Sequence, residues 1–387
     1  MGLPDPKEKK NTRKDSSWAC FKMPTHYMKK KKLKKGEVLF NIGDPADKMF
    51  YIKKGQLRLV EIGKVVGEGA VIGEMGIFSP NQQRMATAVC EKDLEVYMLS
   101  KDDVVNLFTQ DSEVAVDLMY LSCERFTENI KREVEAKERI KSELRIARDI
   151  QMNMLPRRFP PFPERKEFDI FAKMTPAKEV GGDLYDFFFV NDNKLCFLIG
   201  DVSGKGVPAA LFMAISKALL KTEAMHGLSA DEVLKRVNNN LAPDNDACMF
   251  VTVFCVIIDL ETGNVEFSNG GHNPPLVSKG GGDFQYLAIP KGFVVGAMEN
   301  VNFKKGILKL DAGDSIFLYT DGVTEAMNDK GELFSEERLK DSLSKLKDKS
   351  IEEIVKGVRT DIKNFVREAP QSDDITILAF KYKGKEV

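Results

Sequence analysis

The chain of 387 residues lacks the cysteine pairs, histidine clusters and long apolar runs that mark several protein classes. Its six cysteines are scattered without a CxxC pair, which argues against a disulfide framework or zinc site and favours reduced thiols in a cytoplasm. With only three histidines, a multi-histidine metal site is nearly excluded, so any metal must sit on carboxylates. No apolar run approaches the roughly 18 residues that span a bilayer, and the charged start is not a secretory signal.

An excess of charge of one sign is also absent. Lys and Arg number 58 against 59 Asp and Glu, which argues against nucleic-acid binding by the whole chain. The 43% of apolar residues is ample for real cores, and the length suggests two or three domains at roughly 150 residues each.

The N-terminal third divides into two parts. Residues 1–32 are Lys-rich and predict a flexible basic arm; a weak contact with acidic lipid or nucleic acid is the alternative. Residues 33–110 contain short strand-like runs separated by Gly-containing turns, which predicts a small β-barrel or jelly roll.

The rest of the chain also divides into two parts. Residues 111–155 contain almost no Gly or Pro, and apolar residues recur at steps of three or four, which predicts one long amphipathic helix, or two with a break. Such a helix is typical of a dimerising coiled-coil linker; a helix folded onto its own domains is the alternative. Residues 156–387 mix strands and helices without strict alternation, so we predict a layered α+β fold and a multidomain α+β chain.

Four aspartates of this last part lie where predicted strands meet turns: Asp183, Asp201, Asp321 and Asp373. Clustered carboxylates without a counter-charge raise one another's pKa, and a hard divalent cation removes that cost. Oxygen-only ligation favours Mg²⁺ or Mn²⁺, and two such ions can activate a water for attack on phosphorus. Each of these pieces is weak alone, since Asp-Gly after a strand is usually a turn, so the hypothesis depends on all four together.

A series of motifs in this order supports the hypothesis. Along residues 146–382 they are Ile150-Gln151, Met154-Leu155-Pro156, Gly181-Gly182-Asp183-Leu184-Tyr185-Asp186, Gly200-Asp201-Val202-Ser203-Gly204-Lys205-Gly206-Val207-Pro208-Ala209-Ala210, Asn269-Gly270-Gly271-His272-Asn273-Pro274-Pro275, Tyr319-Thr320-Asp321-Gly322-Val323-Thr324-Glu325-Ala326 and Asp373-Asp374-Ile375-Thr376. The combination resembles the metal-dependent Ser/Thr phosphatase (PPM) family, in particular its bacterial SpoIIE/RsbU branch.

This resemblance implies an αββα sandwich with two Mn²⁺ or Mg²⁺ ions. It implies that Asp201 bridges both ions, that Asp183 and the Val202 carbonyl serve one, and that Asp321 and Asp373 serve the other. The nucleophile would be metal-bound hydroxide, without a phospho-enzyme.

Neighbouring residues leave alternatives open. Asp186 and Asp374 are acidic and adjacent, and each is a weaker candidate ligand than the motif aspartates. His272 is either a proton donor to the leaving alkoxide or a structural loop residue. The phosphate-binding Arg of eukaryotic relatives is absent, so its role is missing or falls to Lys178. The helix near Pro208 resembles the switch element of this branch, and a packed core helix is the alternative.

Residues 33–110 carry a second set of motifs, Gly73-Glu74-Met75-Gly76-Ile77-Phe78 and Gln82-Gln83-Arg84-Met85-Ala86-Thr87. They resemble the phosphate-binding cassette of cyclic nucleotide-binding domains, which implies a site for cyclic AMP or cyclic GMP at Gly73, Glu74, Arg84 and Ala86. A short helix after Gly73 would offer N–H groups to the phosphate, Arg84 would neutralise it, and Glu74 could accept from the ribose 2′-OH. A ligand-free structural or dimerising barrel is the alternative.

Together these features predict a cytoplasmic phosphatase that senses a cyclic nucleotide and dimerises through the helical linker. Its substrate would be a phosphorylated regulatory protein, by resemblance a STAS-type anti-sigma-factor antagonist carrying phosphoserine or phosphothreonine. A catalytically silent scaffold is the alternative function. A DNA-binding regulator lacks support, because a long charged helix follows the barrel.

Overall fold

A computed structural model describes residues 28–110 and 112–384 of the protein. The chain forms two compact units, one up to Lys137 and one from Glu138 onward. Residues 1–27 of the predicted basic arm lie outside the described residues. Within the described part of the chain, no helix is long and apolar enough to cross a membrane.

The first unit contains two four-stranded antiparallel sheets, with strand orders β1-β8-β3-β6 and β2-β7-β4-β5. The strands are β1 Lys29–Leu33, β2 Val38–Phe40, β3 Lys48–Lys54, β4 Leu57–Leu59, β5 Lys64–Val66, β6 Val71–Ile72, β7 Ala88–Cys90 and β8 Leu94–Ser100. The helices are α1 Glu74–Phe78 and α2 Lys101–Gln110. Buried Phe50, Ile52 and Val96 form the core with side chains of the other sheet. The arrangement agrees with the predicted jelly roll, and the described strands do not close into a barrel.

One boundary of the basic arm was wrong. Residues 29–32 belong to β1 (Lys29–Leu33), which pairs with β8 at the edge of its sheet. All four lysines are exposed, so the run carries no alternation of apolar and polar residues to indicate a strand. Charged edge strands of this kind prevent unwanted pairing with other chains.

The predicted linker helix is observed as α3 (Ser112–Met154), a single element of 43 residues. It contains neither Gly nor Pro, so nothing in its sequence interrupts the backbone hydrogen bonds. Pro156 follows shortly after its end and disfavours a helical conformation of the residue before it.

The second unit contains two five-stranded antiparallel sheets, ordered β10-β11-β12-β13-β16 and β15-β14-β17-β18-β9. The strands are β9 Phe168–Thr175, β10 Leu184–Phe189, β11 Lys194–Val202, β12 Val251–Asp259, β13 Asn264–Gly270, β14 Leu276–Ser278, β15 Gln285–Tyr286, β16 Lys305–Lys309, β17 Ser315–Tyr319 and β18 Ile375–Tyr382. The helices are α4 Val207–Met225, α5 Ala230–Leu241, α6 Asp321–Thr324, α7 Ser335–Leu346 and α8 Ile351–Val366.

The two sheets of this unit pack face to face around one core. Phe197 of β11 stacks on Phe380 of β18, with 4.8 Å between the ring centroids. Helices α4 and α5 cover the first sheet, and α8, with α7 against it, covers the second. The predicted αββα sandwich is therefore confirmed.

Candidate active site

The two sheets bring the four predicted aspartates to strand ends. In the first sheet Leu184 pairs with Gly200, so Asp183, just before β10, lies beside Asp201 near the end of β11. In the second sheet β17 and β18 are paired antiparallel. Asp321 follows β17 by two residues, and Asp373 precedes β18 by two.

The carboxyl groups of Asp183 and Asp201 interact strongly with each other and with neighbouring carboxylates. Burial, then the charges of Asp201 and Asp374, raises the pKa of Asp183 well above its ordinary value. Burial, then the charges of Asp321 and Asp373, raises the pKa of Asp201 to about 7, and its carboxyl group is close enough to Asp183 for a hydrogen bond. The site therefore concentrates negative charge that favours a cation.

The donor chemistry fits a hard divalent ion, because carboxylate and carbonyl oxygens are its preferred ligands. The Val202 carbonyl faces Gly182 so closely that a Cβ at Gly182 would lie 2.9 Å from the carbonyl oxygen. Across the described residues, however, no group of three or more His, Cys, Asp or Glu side chains is already arranged to hold a metal ion. The two-ion centre at these residues stays a prediction.

Lys205 supplies a counter-charge that the sequence analysis missed. Its Nζ lies 2.7 Å from Asp373 Oδ2 and donates to the Ser372 carbonyl at 2.7 Å. Its position in the Gly204-Lys205-Gly206 turn of the phosphatase motif could have indicated a role. The ion pair draws Asp373 toward the turn that follows Asp201.

Asp374 shapes the loop before β10. Its carboxylate accepts N–H groups from Ala177 at 2.8 Å, from Gly182 at 2.7 Å and from Asp183 at 3.4 Å. A Cβ at Gly181 would lie 2.1 Å from Asp374 Oδ2, so only glycine fits there. These contacts favour a loop-positioning role over the weaker ligand assignment.

Asp186 is occupied by a different partner. Lys217 of α4 places its Nζ 2.5 Å from Asp186 Oδ2, and both side chains are largely buried. The pair fastens α4, the helix after the Asp201 turn, to the strand that follows Asp183. Asp186 therefore holds α4 against β10, and its weaker assignment as a metal ligand is disfavoured.

Gln151, near the end of α3, grips the backbone of the same loop. Its Nε2 donates to the Gly181 carbonyl at 2.7 Å, and its Oε1 accepts the Gly181 N–H at 3.1 Å. The side chain is buried. The linker helix thus binds the residue two positions before Asp183, a contact that the place of this glutamine in a motif does not indicate.

His272 is held as a structural residue. The carbonyl of Tyr319 accepts from its Nε2–H at 3.0 Å, and its Nδ1 lies 2.9 Å from the Thr252 hydroxyl. Burial lowers the pKa of His272 to about 4. A neutral imidazole with both nitrogens engaged favours the loop role over proton donation.

Thr320 is a further residue that the sequence analysis did not single out. Its hydroxyl donates to Asp183 Oδ2 at 2.8 Å, and it also accepts the Thr376 N–H at 3.0 Å. It therefore joins the Asp183 loop to β18 and orients one of the predicted ligands.

In the first unit, the four predicted nucleotide-site residues line one cavity of about 90 Å³: Gly73, Glu74, Arg84 and Ala86. The guanidinium of buried Arg84 lies over the Phe40 and Phe50 rings, 4.5 and 5.3 Å from their centroids. Its Nε has no hydrogen-bond partner among the described residues. A buried cation with unused donors is suited to an anionic ligand.

Glu74 already has a partner that the sequence analysis missed. Arg125 of α3 forms an ion pair with Glu74, and its Nη2 donates to the Val71 carbonyl at 2.6 Å. Arg125 also lines the cavity. Arg125 engages Oε1, and the buried Oε2 has no hydrogen-bond partner among the described residues, so the ribose-binding role predicted for Glu74 stays a prediction.

Comparison with known proteins agrees with this organisation. The family model for Stage II sporulation protein E (SpoIIE) matches residues 191–383, and that for the cyclic nucleotide-binding domain matches residues 30–111. Phosphoserine phosphatase RsbU of Bacillus subtilis is 30% identical over 245 residues, which cover 63% of this chain and 71% of that protein. Protein IcfG of Synechocystis is 31% identical over 264 residues, covering 61% of this chain but only 41% of that protein.

A solved structure shares the fold of the second unit. The SiaA-PP2C domain of Pseudomonas aeruginosa superposes with a TM-score of 0.57 at 24% identity, covering 64% of this chain and 98% of that one. The sandwich and its acidic strand ends thus define a PP2C-type phosphatase fold. The chain belongs to the SpoIIE family of serine/threonine protein phosphatases, and it carries an N-terminal cyclic nucleotide-binding domain.

Proposed function

We propose that the second unit hydrolyses phosphoserine or phosphothreonine on a regulatory protein. It would use two Mn²⁺ or Mg²⁺ ions held by an acidic cluster, which consists of Asp183, Asp201, Asp321 and Asp373. The observation that carries the proposal is the mutual interaction of the clustered carboxylates, which raises the pKa of both Asp183 and Asp201. The name of RsbU, a phosphoserine phosphatase, supports the substrate class. By resemblance to the RsbU branch, the regulatory protein is a STAS-type anti-sigma-factor antagonist.

The motif aspartates would hold the ions in this site. Asp201 would serve both ions, Asp183 and the Val202 carbonyl one of them, and Asp321 and Asp373 the other. Bound ions of this kind polarise the phosphate and activate water. Thr320 donates a hydrogen bond to Asp183, and Asp374 accepts one from the Gly182 N–H. Both residues therefore orient the Asp183 loop.

Lys205 has a second use in the proposed reaction. Its side chain is 44% exposed beside Asp373, so its ammonium group can also donate to a phosphate oxygen at the mouth of the site. A lysine binds phosphate as a point charge without requiring the fork geometry of arginine. It can therefore take over part of the role of the missing phosphate-binding Arg, for which the exposed Lys178 was the candidate.

Metal removal tests the proposal against the silent-scaffold alternative. We expect the purified chain to hydrolyse a phosphoserine peptide and p-nitrophenyl phosphate, to lose both activities after chelation, and to regain them with Mn²⁺ or Mg²⁺. The measurement is phosphate release at increasing metal concentration. A chain that releases no phosphate at any concentration of either ion supports the scaffold.

We propose further that the first unit binds cyclic AMP or cyclic GMP. The buried guanidinium of Arg84, with an Nε that has no partner among the described residues, supports an anionic ligand in the cavity. Burial lowers the pKa of Arg84, partly offset by Asp47 and Asp44, and an anionic phosphate would relieve the remaining cost. The ligand-free barrel is the alternative.

Replacing Arg84 by methionine is expected to weaken cyclic nucleotide binding at least about tenfold, because charged hydrogen bonds to the phosphate are lost. Calorimetric titration with cyclic AMP and cyclic GMP measures the change. Arg58→Met removes an exposed arginine of the same unit that pairs with Glu91, and it should leave the affinity unchanged. If the wild-type chain binds neither nucleotide, the ligand-free alternative is correct.

We propose that α3 pairs with the same helix of a second copy. Exposed apolar residues of this helix are spaced 3, 7, 4 and 10 residues apart, which places all of them on the two seam positions of a heptad: Val116, Met119, Phe126, Ile130 and Ile140. Lys137 and Glu133 interrupt the seam and pair with each other at 2.7 Å. A polar layer of this kind specifies the register of a coiled coil.

A further inference from the structure

A cavity of the phosphatase unit lies beside the acidic cluster. Its volume is about 280 Å³, close to the lower limit of roughly 300 Å³ for ligand pockets. Its walls are the C-terminal half of α8, the end of β9, the residues after Asp321 and the residues before Asp373. None of the roles assigned above uses this cavity.

Three cations line the cavity: Arg359 and Lys363 of α8, and Arg367, the residue that follows the helix as its C-cap. Arg359 and Lys363 are four residues apart and therefore lie on the same face of the helix. None of the three forms an ion pair with a carboxylate of residues 28–110 or 112–384, whereas Lys356 of the same helix pairs with Glu352 at 2.6 Å. The cavity therefore presents positive charge that the described residues do not neutralise.

Stabilisation of a helix end does not account for this arrangement. Cations in the last turn interact favourably with the carbonyl end of a helix, which explains Lys363 and Arg367. Arg359 lies almost two turns before the end of α8 and is half-buried, and its Nη2 donates to the Thr175 hydroxyl at 2.7 Å. Burial lowers the pKa of Arg359, and no carboxylate of the described residues offsets the shift.

The cavity shares its walls with the loops of two proposed metal ligands. Gly322 follows Asp321, and Ser372 precedes Asp373. Gln371 fixes this wall, since its Nε2 donates to the carbonyls of Thr175 at 2.9 Å and Asp373 at 2.7 Å. A group bound in the cavity would therefore lie next to the phosphate being hydrolysed.

We infer that this cavity binds an acidic side chain that flanks the phosphorylated residue of the protein substrate. The three cations would bind the carboxylate, while apolar wall residues such as Met327, Ile362 and Val366 would contact a neighbouring apolar side chain. The acidic cluster repels the acidic side chain of such a peptide, and the cations of the cavity attract it. The two effects together would orient the peptide with its acidic side chain toward the cavity. The inference rests on the proposed phosphatase function.

Two phosphoserine peptides of equal length test it, one with aspartates beside the phosphoserine and one with asparagines in their place. We expect kcat/KM of the wild-type chain to be about fivefold or more higher for the acidic peptide than for the asparagine peptide. The double variant Lys363→Glu with Arg367→Glu should lose this preference because its KM for the acidic peptide rises. Hydrolysis of p-nitrophenyl phosphate, which carries no flanking acidic side chain, should stay unchanged and reports that the variant is folded. Lys345→Glu, an exposed cation in the last turn of α7, is the matched control and should keep the preference.

Equal use of both peptides by the wild-type chain would overturn the inference, as would an unchanged preference in the variant. If the double reversal impairs folding, the milder Lys363→Gln with Arg367→Gln makes the same comparison. Fluorescence anisotropy with the two peptides separates this inference from the proposed function. A chain that hydrolyses nothing but binds the acidic peptide more tightly would contradict the phosphatase proposal alone; equal binding would contradict the cavity.

Discussion

Asp201→Asn is expected to lower the hydrolysis of phosphoserine peptides about 10²–10³-fold, the effect of removing one central electrostatic group from an active site. Asp201 interacts with carboxylates from both sheets: its carboxyl group meets that of Asp183, and the charges of Asp321 and Asp373 raise its pKa. Its loss therefore affects both proposed ions. Initial rates at saturating Mn²⁺ measure the effect.

The thermal stability of the metal-free Asp201→Asn variant is a second measurement, and it should rise where the activity falls. The pKa of Asp201 in the folded chain, about 7, is above its ordinary value of 3.8, so folding becomes less favourable as pH rises between these values. We therefore expect chelated Asp201→Asn to unfold at a higher temperature than the wild type above pH 7, with the difference vanishing below pH 4. The exposed Asp341→Asn should change neither activity nor stability. Full activity in Asp201→Asn would refute the assignment of Asp201.

Gln151→Met is expected to lower phosphatase activity about 10–100-fold, the usual effect of removing a group that positions a metal ligand. Methionine keeps the length of the side chain but leaves the buried N–H and C=O of Gly181 without their partner. The loop that carries Asp183 then loses its attachment to α3. The expected signature is a higher Mn²⁺ concentration for half-maximal activity, with part of the rate recovered at excess metal.

Asn153→Leu is the matched control, because Asn153 lies on the same last turn of α3 but is exposed, where it accepts a hydrogen bond from Arg157. It should leave the metal dependence unchanged. If Gln151→Met lowers the unfolding temperature and the rate while the half-saturating Mn²⁺ concentration stays constant, the glutamine supports the fold and does not position the site.

Strong local patterns made much of the second unit predictable. A clear helical period in the sequence predicts a helix over Ala230–Leu241, and a compact apolar run bordered by turns predicts a strand over Ser315–Tyr319; the structure has both elements with these bounds. In strand β9 the residues alternate between buried and less buried positions. The lysine-rich β1 carried no apolar pattern and could not be identified in this way.

For the site, the sequence predicts only those residues that lie at the ends of strands. Carboxylates that follow or precede buried strands indicated the acidic cluster before any partner was known. The partners Gln151, Lys217 and Arg125 were not predictable in the same way. Each acts across 30 or more residues, 30 for Gln151 and Gly181, 31 for Lys217 and Asp186, and 51 for Arg125 and Glu74. Such pairs depend on how elements pack, which no local pattern records.

The ion pair between Arg125 and Glu74 would connect the proposed nucleotide site to α3. Arg125 engages Oε1 of Glu74, whereas the buried Oε2 has no hydrogen-bond partner among the described residues. A ribose hydroxyl that bound Oε2 would therefore share the carboxylate with α3. Filling the cavity would then affect the helix as well as the residues that line the cavity.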